Sequence, residues 1–152
     1  MLRKLEHLHK VKCLRTLVVL PIDIFSPYSI SSKTLDGLLK EVKCLRVLSL
    51  SDSIINKLPN LIGNLKYLWY LNLSKSFIKK LLDSVGHLYN LQTLILSYCQ
   101  RLTMLPMGIR NLIKLPHLDI SNTSQLQKMP SQIGNLTNLQ TLTKFIVGEG
   151  NG

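Results

Sequence analysis

Histidine, aspartate and cysteine are the side chains of this sequence whose chemistry could support acid–base catalysis, nucleophilic attack or metal binding. His7 and His9 have the spacing of a metal-binding pair, but no third ligand follows nearby, and protein zinc sites use three or four protein ligands. Asp52, Asp83 and Asp119 fall at different positions of an internal repeat, so a catalytic pair of carboxylates has little support. We therefore expect neither a metal centre nor an enzyme.

The cysteines are better explained as structural thiols. Cys99 is predicted to lie in a turn, and Cys13 and Cys44 directly before strands, where cysteine packs as a small apolar side chain. An odd number of cysteines argues against a disulfide framework and favours a reducing compartment. The N-terminal segment lacks the uninterrupted apolar stretch of a secretion signal, and no apolar run is long enough to span a membrane. We expect a cytoplasmic protein.

An internal repeat covers most of the chain and must position these side chains. Blocks with the pattern LxxLxL begin at Leu45, Leu68, Leu91 and Leu115, and a fifth opens at Leu139, so that successive blocks start 23 or 24 residues apart. Such a fixed period is typical of solenoid proteins. One block cannot bury its own leucine face, so the copies are expected to stack and share one core.

Each block begins with leucines spaced two apart, which predict a short strand with one face in the core, as at Leu71 and Leu94. The sequence has 33 leucines and 13 isoleucines but no alanine, a composition unfavourable for an all-helical protein. We predict an α/β solenoid, a curved parallel sheet with short helical or irregular return arms. After each strand a small side chain is expected to bond the loop backbone. These side chains are Ser53, Ser76, Cys99 and Thr123.

Glycine recurs in the return arms at Gly63, Gly86 and Gly134, each after a branched apolar residue. A glycine at the end of a short helical turn often adopts the left-handed backbone that caps the turn. We expect that conformation at all three positions. Arg110 takes the corresponding place in the third arm.

The first 44 residues are less regular, but they contain the word VKCLR at 11–15, which returns at 42–46. The repetition predicts an earlier strand around Leu17. Between the two words we expect a Ser/Pro-rich loop at 21–32 and a short amphipathic helix at 35–42.

We divide the chain into three parts. They are an irregular N-terminal repeat with its insertion at 1–44, four repeats at 45–138, and a truncated fifth repeat at 139–152. Residues 1–12 suit a helical start that covers one open end of the solenoid. No polar capping repeat covers the other end, so self-association through the C-terminal end is expected.

These blocks resemble the leucine-rich repeats of plant coiled-coil nucleotide-binding leucine-rich-repeat (NB-LRR) disease resistance proteins. The resemblance implies a leucine-rich-repeat solenoid from the N-terminal part of a repeat domain that serves sensing and autoinhibition in a plant intracellular immune receptor. The phosphate-loop motif GxxxxGK[ST] does not occur, so neither a nucleotide nor another cofactor is expected. The matching words are CLRVLSLS at 44–51, LPNLIGNLKYLWYLNLS at 58–74, LYNLQTLILSYCQRLTMLP at 88–106 and IGNLTNLQTLTKFIVGEGNG at 133–152.

Two surfaces of such a solenoid are candidates for binding proteins. An effector or host protein would meet the concave face, and an acidic nucleotide-binding module, in cis or in trans, is implied by the resemblance as the partner of a basic stripe on the flank. The concave face comprises Val47, Ser49, Trp69, Tyr70, Asn72, Thr93, Ile95, Tyr98, His117 and Asp119. The basic stripe comprises Lys57, Lys79, Lys80, Arg101 and Lys128.

Several alternatives stay open on the sequence alone. A generic intracellular leucine-rich-repeat signalling scaffold would carry the same repeats without an immune role, and both surfaces could be merely solvated. A net charge of +11 would suit nucleic acid, but no aromatic–basic platform or reading helix is visible. Glycosylation triplets at Asn72, Asn122 and Asn135 would fit an extracellular receptor, although a repeat rich in Asn, Leu and Ser produces such triplets for structural reasons.

Overall fold

The computed structural model describes residue 11 and residues 13–20 and 28–146. Its regular elements are short, as expected for a chain that turns every few residues. The strands are β1 (Thr16–Val18), β2 (Tyr28–Ser29), β3 (Val47–Ser49), β4 (Ser53–Ile54), β5 (Tyr70–Asn72), β6 (Thr93–Ile95), β7 (His117–Asp119) and β8 (Thr141–Leu142). The α-helix α1 is Ser32–Glu41, and the 3-10 helices of the return arms are Asn60–Asn64, Asp83–His87, Met107–Asn111 and Ile133–Asn135.

Six of these strands form one parallel sheet in the order β1-β3-β5-β6-β7-β8. Equivalent leucines of successive repeats are Cα partners: Leu48 pairs with Leu71, Leu71 with Leu94, and Leu94 with Leu118. All four side chains are fully buried. Burial of this ladder is the main source of stability, because each large apolar side chain contributes about 1.5–3 kcal/mol when it leaves water. The predicted α/β solenoid is confirmed.

Each of four strands is followed by a turn through a residue with left-handed backbone. Asp52, Lys75, Tyr98 and Asn122 occupy these turns, with φ between 53° and 59°. This conformation is unfavourable for residues other than glycine, because their Cβ atom lies too close to a backbone carbonyl oxygen. Stacking holds the backbone there, since the amide of Tyr98, for example, donates to the carbonyl of Ser121 in the next repeat at 3.0 Å.

Small buried side chains follow these turns, and three of the four bond backbone carbonyl groups, as predicted, whereas Ser76 Oγ pairs with Cys99 Sγ at 3.4 Å. Thr123 Oγ1 donates to the carbonyl of Ile120, three residues earlier, at 2.7 Å, and Ser53 Oγ makes the equivalent bond in its own repeat. Cys99 Sγ instead donates to the carbonyl of Leu73 in the preceding repeat at 3.1 Å. These bonds give partners to carbonyl groups that face the core.

The prediction of left-handed caps at the return-arm glycines was wrong. No glycine among the described residues has a positive φ, and Gly63 and Gly86 lie inside 3-10 helices. Glycine is needed there because neighbouring backbones approach closely. A Cβ on Gly63 would lie 2.6 Å from the carbonyl oxygen of Ser84 in the next arm. A Cβ on Gly86 would lie even closer to the carbonyl oxygen of Gly108. Gly134 has no such neighbour within 4 Å.

Arg110 replaces glycine in the third arm, and the fourth arm differs from the others. Its 3-10 helix has three residues, against five in each preceding arm. It begins after Gln132, whose φ is 87° and whose Oε1 accepts a hydrogen bond from Arg110 Nη1 at 2.7 Å. The Arg110 side chain is exposed, and its hydrogen bond to Gln132 links the third arm to the fourth.

The N-terminal region joins the same sheet. Thr16 of β1 is the Cα partner of Val47, which confirms the predicted early strand. Helix α1 confirms the predicted amphipathic helix, and Ser31 caps its N-terminus by accepting a hydrogen bond from the amide of Thr34 at 3.1 Å. The helical start expected over 1–12 lies outside the described residues, apart from residue 11.

The loop predicted at 21–32 is only partly a loop. Its end contains β2, which pairs in parallel with β4. The Tyr28 hydroxyl donates to the carbonyl of Ser51 at 2.9 Å, and burial raises the pKa of Tyr28 to about 12. Tyr28 thus links the insertion to the repeats. The Ser/Pro-rich composition of the insertion does not predict this contact. Residues 21–27 lie outside the described part of the chain.

At the C-terminal side of the sheet, β8 pairs with β7. Leu139, Leu142 and Ile146 pack against the core but stay partly exposed, and Phe145 is exposed. Apolar surface at this side is compatible with the expected self-association, which stays a prediction.

Candidate protein-binding surfaces

The strands place the predicted concave-face residues on the side of the sheet opposite the leucine core, or at its edges. Val47, Tyr70 and Thr93 are half-buried, since neighbouring strands cover part of each side chain. His117 is exposed. Ser49 is buried and offers no contact surface.

Two polar residues of the concave face are already engaged within the protein. Asn72 Oδ1 accepts a hydrogen bond from the amide of Ser74 at 2.9 Å. Asp119 Oδ1 accepts from the amide and hydroxyl of Ser121 at 3.0 and 2.7 Å, and from Thr143 Oγ1 at 2.8 Å. Burial alone would raise the pKa of the Asp119 carboxyl, but these hydrogen bonds outweigh it and lower the pKa below its ordinary value.

The two exposed aromatic residues of the predicted face lie at opposite edges of the sheet. Trp69 is 40% exposed and precedes β5, at the amino edge where the strands begin. It packs edge-on against Tyr70, with ring centroids 6.2 Å apart. Tyr98 is 50% exposed and follows β6, at the carboxyl edge. They therefore do not belong to one site.

A pocket surrounds Trp69 at the amino edge. Its volume is about 360 Å³, and it is lined by Arg46, Tyr67, Trp69, Asn90 and Gln92. This is within the range of about 300–1,000 Å³ that is usual for ligand sites. Tyr67 is 62% exposed, and the pocket is a shallow surface depression bordered by two aromatic rings and a guanidinium. We call these five residues the docking pocket.

Of the docking pocket, sequence reasoning identified only Trp69. Arg46, Trp69 and Gln92 each directly precede the strand of three successive repeats, and Tyr67 and Asn90 stand two residues earlier in theirs. The sequence signal for the pocket is therefore a set of equivalent positions in successive repeats, one directly before each strand and one two residues earlier. This signal is weak because the residues at equivalent positions differ in their chemistry.

The docking pocket is basic. Its lining contains one cation, Arg46, and no carboxylate. Lys114 Nζ donates to Asn90 Oδ1 at 3.2 Å, and Asn90 Nδ2 in turn donates to the carbonyl of Lys66 at 2.8 Å. These bonds fix the Asn90 amide, and the first of them brings the positive charge of Lys114 to the rim.

Two members of the basic stripe, Lys80 and Lys128, are aligned across the return arms. Lys80 and Met104 form a parallel bridge, and Met104 forms another with Lys128. Met104 thus fills the lysine position of the third repeat. All five predicted side chains of the stripe are exposed.

No acidic side chain neutralises the stripe within the described residues, where the one ion pair joins Lys75 to Asp52 at 3.4 Å. Arg101 packs over the ring of Phe77, with its guanidinium carbon 4.7 Å from the ring centroid. That contact orients Arg101 but leaves its charge uncompensated. The stripe is a row of unpaired positive charge.

Only one of the three cysteines is the buried structural thiol that we expected. Cys99 is buried, and burial raises the pKa of its thiol, while a hydrogen bond with Ser76 opposes that rise. For Cys13, which is exposed, and Cys44, which is half-buried, the expectation was wrong. Both stand in the surface turn before a core leucine, so they face away from the core.

Within the described part of the chain, no three His, Cys, Asp or Glu side chains are close enough to hold a metal ion. His7 and His9 lie outside that part. The described helices include none with the length and apolar character needed to cross a membrane.

The stacked leucine ladder and the alternating strands and return arms match a known family. The family model described as "Leucine-rich repeat region" matches residues 2–151, nearly the whole sequence. The chain belongs to the leucine-rich-repeat family. Such repeat regions are typically protein-interaction modules rather than enzymes. No curated protein matches this sequence.

Solved structures that share this leucine-rich-repeat fold come from bacteria and plants. A leucine-rich-repeat protein of Leptospira interrogans has a TM-score of 0.64 at 26% identity, over 90% of this chain and 38% of its own. The Arabidopsis receptor kinase HAESA, in complex with the peptide hormone IDA and the co-receptor SERK1, has a TM-score of 0.64 at 21% identity, over 87% and 26%. This chain therefore spans less than half of either protein, and the likeness to HAESA is one of fold.

Proposed function

We propose that this leucine-rich-repeat protein binds another protein through the docking pocket and the adjoining concave face, without catalysing a reaction. The observation that carries the proposal is the exposure of Trp69 and Tyr67 beside Arg46. Trp, Tyr and Arg dominate the binding energy of protein interfaces, because each buries a large area on association. Trp69 and Tyr67 line one pocket, and adjacent exposed aromatic side chains indicate an interaction site more strongly than single exposed ones do.

The docking pocket suits an acidic peptide segment with an apolar side chain. The Arg46 guanidinium can donate two parallel hydrogen bonds to a partner carboxylate. The rings of Trp69 and Tyr67 offer flat apolar surface to the neighbouring side chain. The Gln92 amide, which is exposed, can both donate to and accept from the peptide backbone.

Selection from a random peptide display library tests this proposal. Peptides enriched on the wild-type chain are expected to combine Asp or Glu with an aromatic or aliphatic residue. Enrichment should be lost on the Arg46→Glu/Trp69→Ala variant and kept on a Tyr89→Ala variant, which removes an exposed ring outside the pocket. Peptides enriched equally on all three proteins would contradict the proposal.

We further propose that the protein acts in the cytoplasm as part of the sensing and autoinhibition domain of a plant intracellular immune receptor. In this role the basic stripe faces an acidic nucleotide-binding module. The alignment of Lys80 and Lys128 across repeats and the absence of neutralising carboxylates among the described residues support an acidic partner. The resemblance of the repeats to plant NB-LRR proteins supports the module as that partner.

A generic intracellular signalling scaffold is the alternative function, and the leucine-rich repeats alone are compatible with it. The transcript that carries this coding region separates the two. An upstream reading frame with the GxxxxGK[ST] phosphate loop would favour the receptor. A transcript in which these repeats stand without such a module would favour the scaffold.

A further inference from the structure

Cys13 and Cys44 occupy equivalent positions in two neighbouring repeats. Each is the third letter of the word VKCLR, at 11–15 and at 42–46. Each stands immediately before a leucine that packs into or against the core. The two thiols therefore lie on the same side of the solenoid, at its surface.

The strands that follow bring the two cysteines side by side. Thr16 and Val47 are Cα partners in parallel strands, and each cysteine lies three residues before its partner position. One residue earlier, the amide of Arg46 still donates to the carbonyl of Arg15 in the neighbouring repeat, at 2.7 Å. The backbone pairing of the two repeats therefore begins before the strands, two residues after each cysteine.

The two thiols are in contact. The pKa of the Cys44 thiol is raised, first by its hydrogen bond with the Cys13 thiol, next by the charge of Cys13 and then by burial. The positive charges of Arg15 and Arg46 oppose this rise. Cys13 is the more exposed of the two.

We propose that Cys13 and Cys44 form a dithiol site that a small disulfide, such as glutathione disulfide, oxidises to an intramolecular disulfide. The strands that follow the two cysteines lie ~4.8 Å apart, and the bond between Arg46 and Arg15 continues their pairing to within two residues of the cysteines. A disulfide spans about 4.4–6.8 Å between Cα atoms, so this spacing suits one. Cys99 cannot compete, because it is buried and its thiol donates to the carbonyl of Leu73.

The exchange takes two balanced steps. The thiolate of Cys13, the more accessible group, attacks one sulfur of glutathione disulfide, forms a mixed disulfide and releases one glutathione thiolate. The Cys44 thiolate then attacks Cys13 Sγ, forms the protein disulfide and releases the second glutathione thiolate. Two protein thiols are oxidised, glutathione disulfide is reduced to two thiols, and the two protons lost by the cysteines pass to the glutathione.

The disulfide would fasten the first repeat to the second. It closes a loop of about thirty residues that contains the insertion and helix α1. Such a crosslink stabilises a protein mainly by restricting its unfolded state. The oxidised chain is therefore expected to melt at a higher temperature than the reduced chain, by about 5–10 °C.

The full chain, incubated with glutathione disulfide or with reduced glutathione, tests the proposal by intact-mass spectrometry and thermal melting. The oxidised chain should lose the mass of two hydrogen atoms, carry no bound glutathione, and expose one alkylatable thiol, Cys99, after denaturation. It should also show the higher melting temperature. The Cys99→Ala variant keeps the pair, so it should show the same loss of mass and the same rise in melting temperature, but it should expose no alkylatable thiol.

Single variants of the pair provide the matched controls. Cys13→Ser and Cys44→Ser should each retain one bound glutathione, and neither should gain thermal stability on oxidation. Stable glutathione adducts on wild-type Cys13 or Cys44, or disulfide-linked dimers in place of the internal bond, would overturn the proposal. An internal disulfide that leaves the melting temperature unchanged would overturn the proposed fastening of the two repeats.

Discussion

Gly86 and Gly108 contact each other backbone to backbone across two neighbouring return arms. A Cβ on Gly86 would overlap the carbonyl group of Gly108, and a Cβ on Gly108 would lie 2.6 Å from the carbonyl oxygen of Asp83. The amide of Gly108 also donates to Asp83 Oδ1 at 2.8 Å. The return arms of the second and third complete repeats are thus in direct backbone contact.

This contact predicts that alanine is not tolerated at Gly86. Gly86→Ala should lower the free energy of unfolding by about 1–3 kcal/mol, because backbone atoms must shift to admit the methyl group. Chemical denaturation measures the loss. Gly134→Ala is the matched control, since nothing lies within 4 Å of a Cβ there, and it should change stability by less than about 0.5 kcal/mol. Equal effects of the two substitutions would contradict the packing described for the arms.

The leucine ladder predicts a large loss when one of its members is truncated. Leu71→Ala or Leu94→Ala should each lower the free energy of unfolding by about 2–5 kcal/mol, since both side chains are fully buried and leave a cavity. Leu20→Ala is the control, because Leu20 is largely exposed. A loss under about 0.5 kcal/mol at Leu94, as at a surface position, would show that the inward face has been assigned incorrectly.

The basic stripe predicts electrostatic binding to acidic partners. Reversal of Lys57, Lys80 and Lys128 to Glu should weaken binding to polyglutamate, used as an acidic stand-in, by at least ~10-fold and leave the melting temperature nearly unchanged. Wild-type binding should also weaken as salt rises, because exposed charges are screened. Titration calorimetry measures both effects. The matched control reverses three exposed lysines elsewhere: Lys33, Lys40 and Lys43. Equal losses in both triple variants would show that net charge acts rather than the stripe.

The hydrogen bonds to Asp119 predict a pH dependence of stability. The pKa of its carboxyl is lowered in the folded protein, so the contribution of Asp119 is fully present above the unfolded value of about 3.9. It is lost as the pH falls through the lower folded value. Melting temperatures between pH 6 and pH 3 should fall more steeply for the wild type than for Asp119→Asn. Asp36→Asn, on helix α1, is the control and should follow the wild type. A wild-type slope no steeper than that of Asp119→Asn would contradict this assignment.

The sheet could be predicted from the sequence because its determinants are local and repeated. Leucines two residues apart specify a strand face, and a fixed period specifies stacking, so Leu48, Leu71 and Leu94 could be aligned before any coordinates. The glycines show the limit of such reasoning. Gly63 and Gly86 are required by the approach of another arm, which is a tertiary contact and leaves no mark on local sequence.

The docking pocket shows the same limit. Trp69 could be predicted because it flanks the outward-facing positions of its strand, whereas Arg46 and Gln92 became part of a site only when the register placed them beside it. Cys13 and Cys44 were mistaken for core residues because cysteine is usually buried. Whether a thiol in a turn faces the core or the solvent depends on the backbone conformation of that turn, which the sequence pattern does not specify.

Fluorescence of Trp69 tests the central claim most directly, because the chain contains one tryptophan and that tryptophan borders the docking pocket. A display-selected acidic peptide should change the Trp69 emission in a saturable way, and Arg46→Glu should weaken its binding by at least ~10-fold, as expected for the loss of an interface anchor. A peptide that binds by calorimetry with unchanged Trp69 emission, and with the same affinity for Arg46→Glu, would show that partners dock elsewhere.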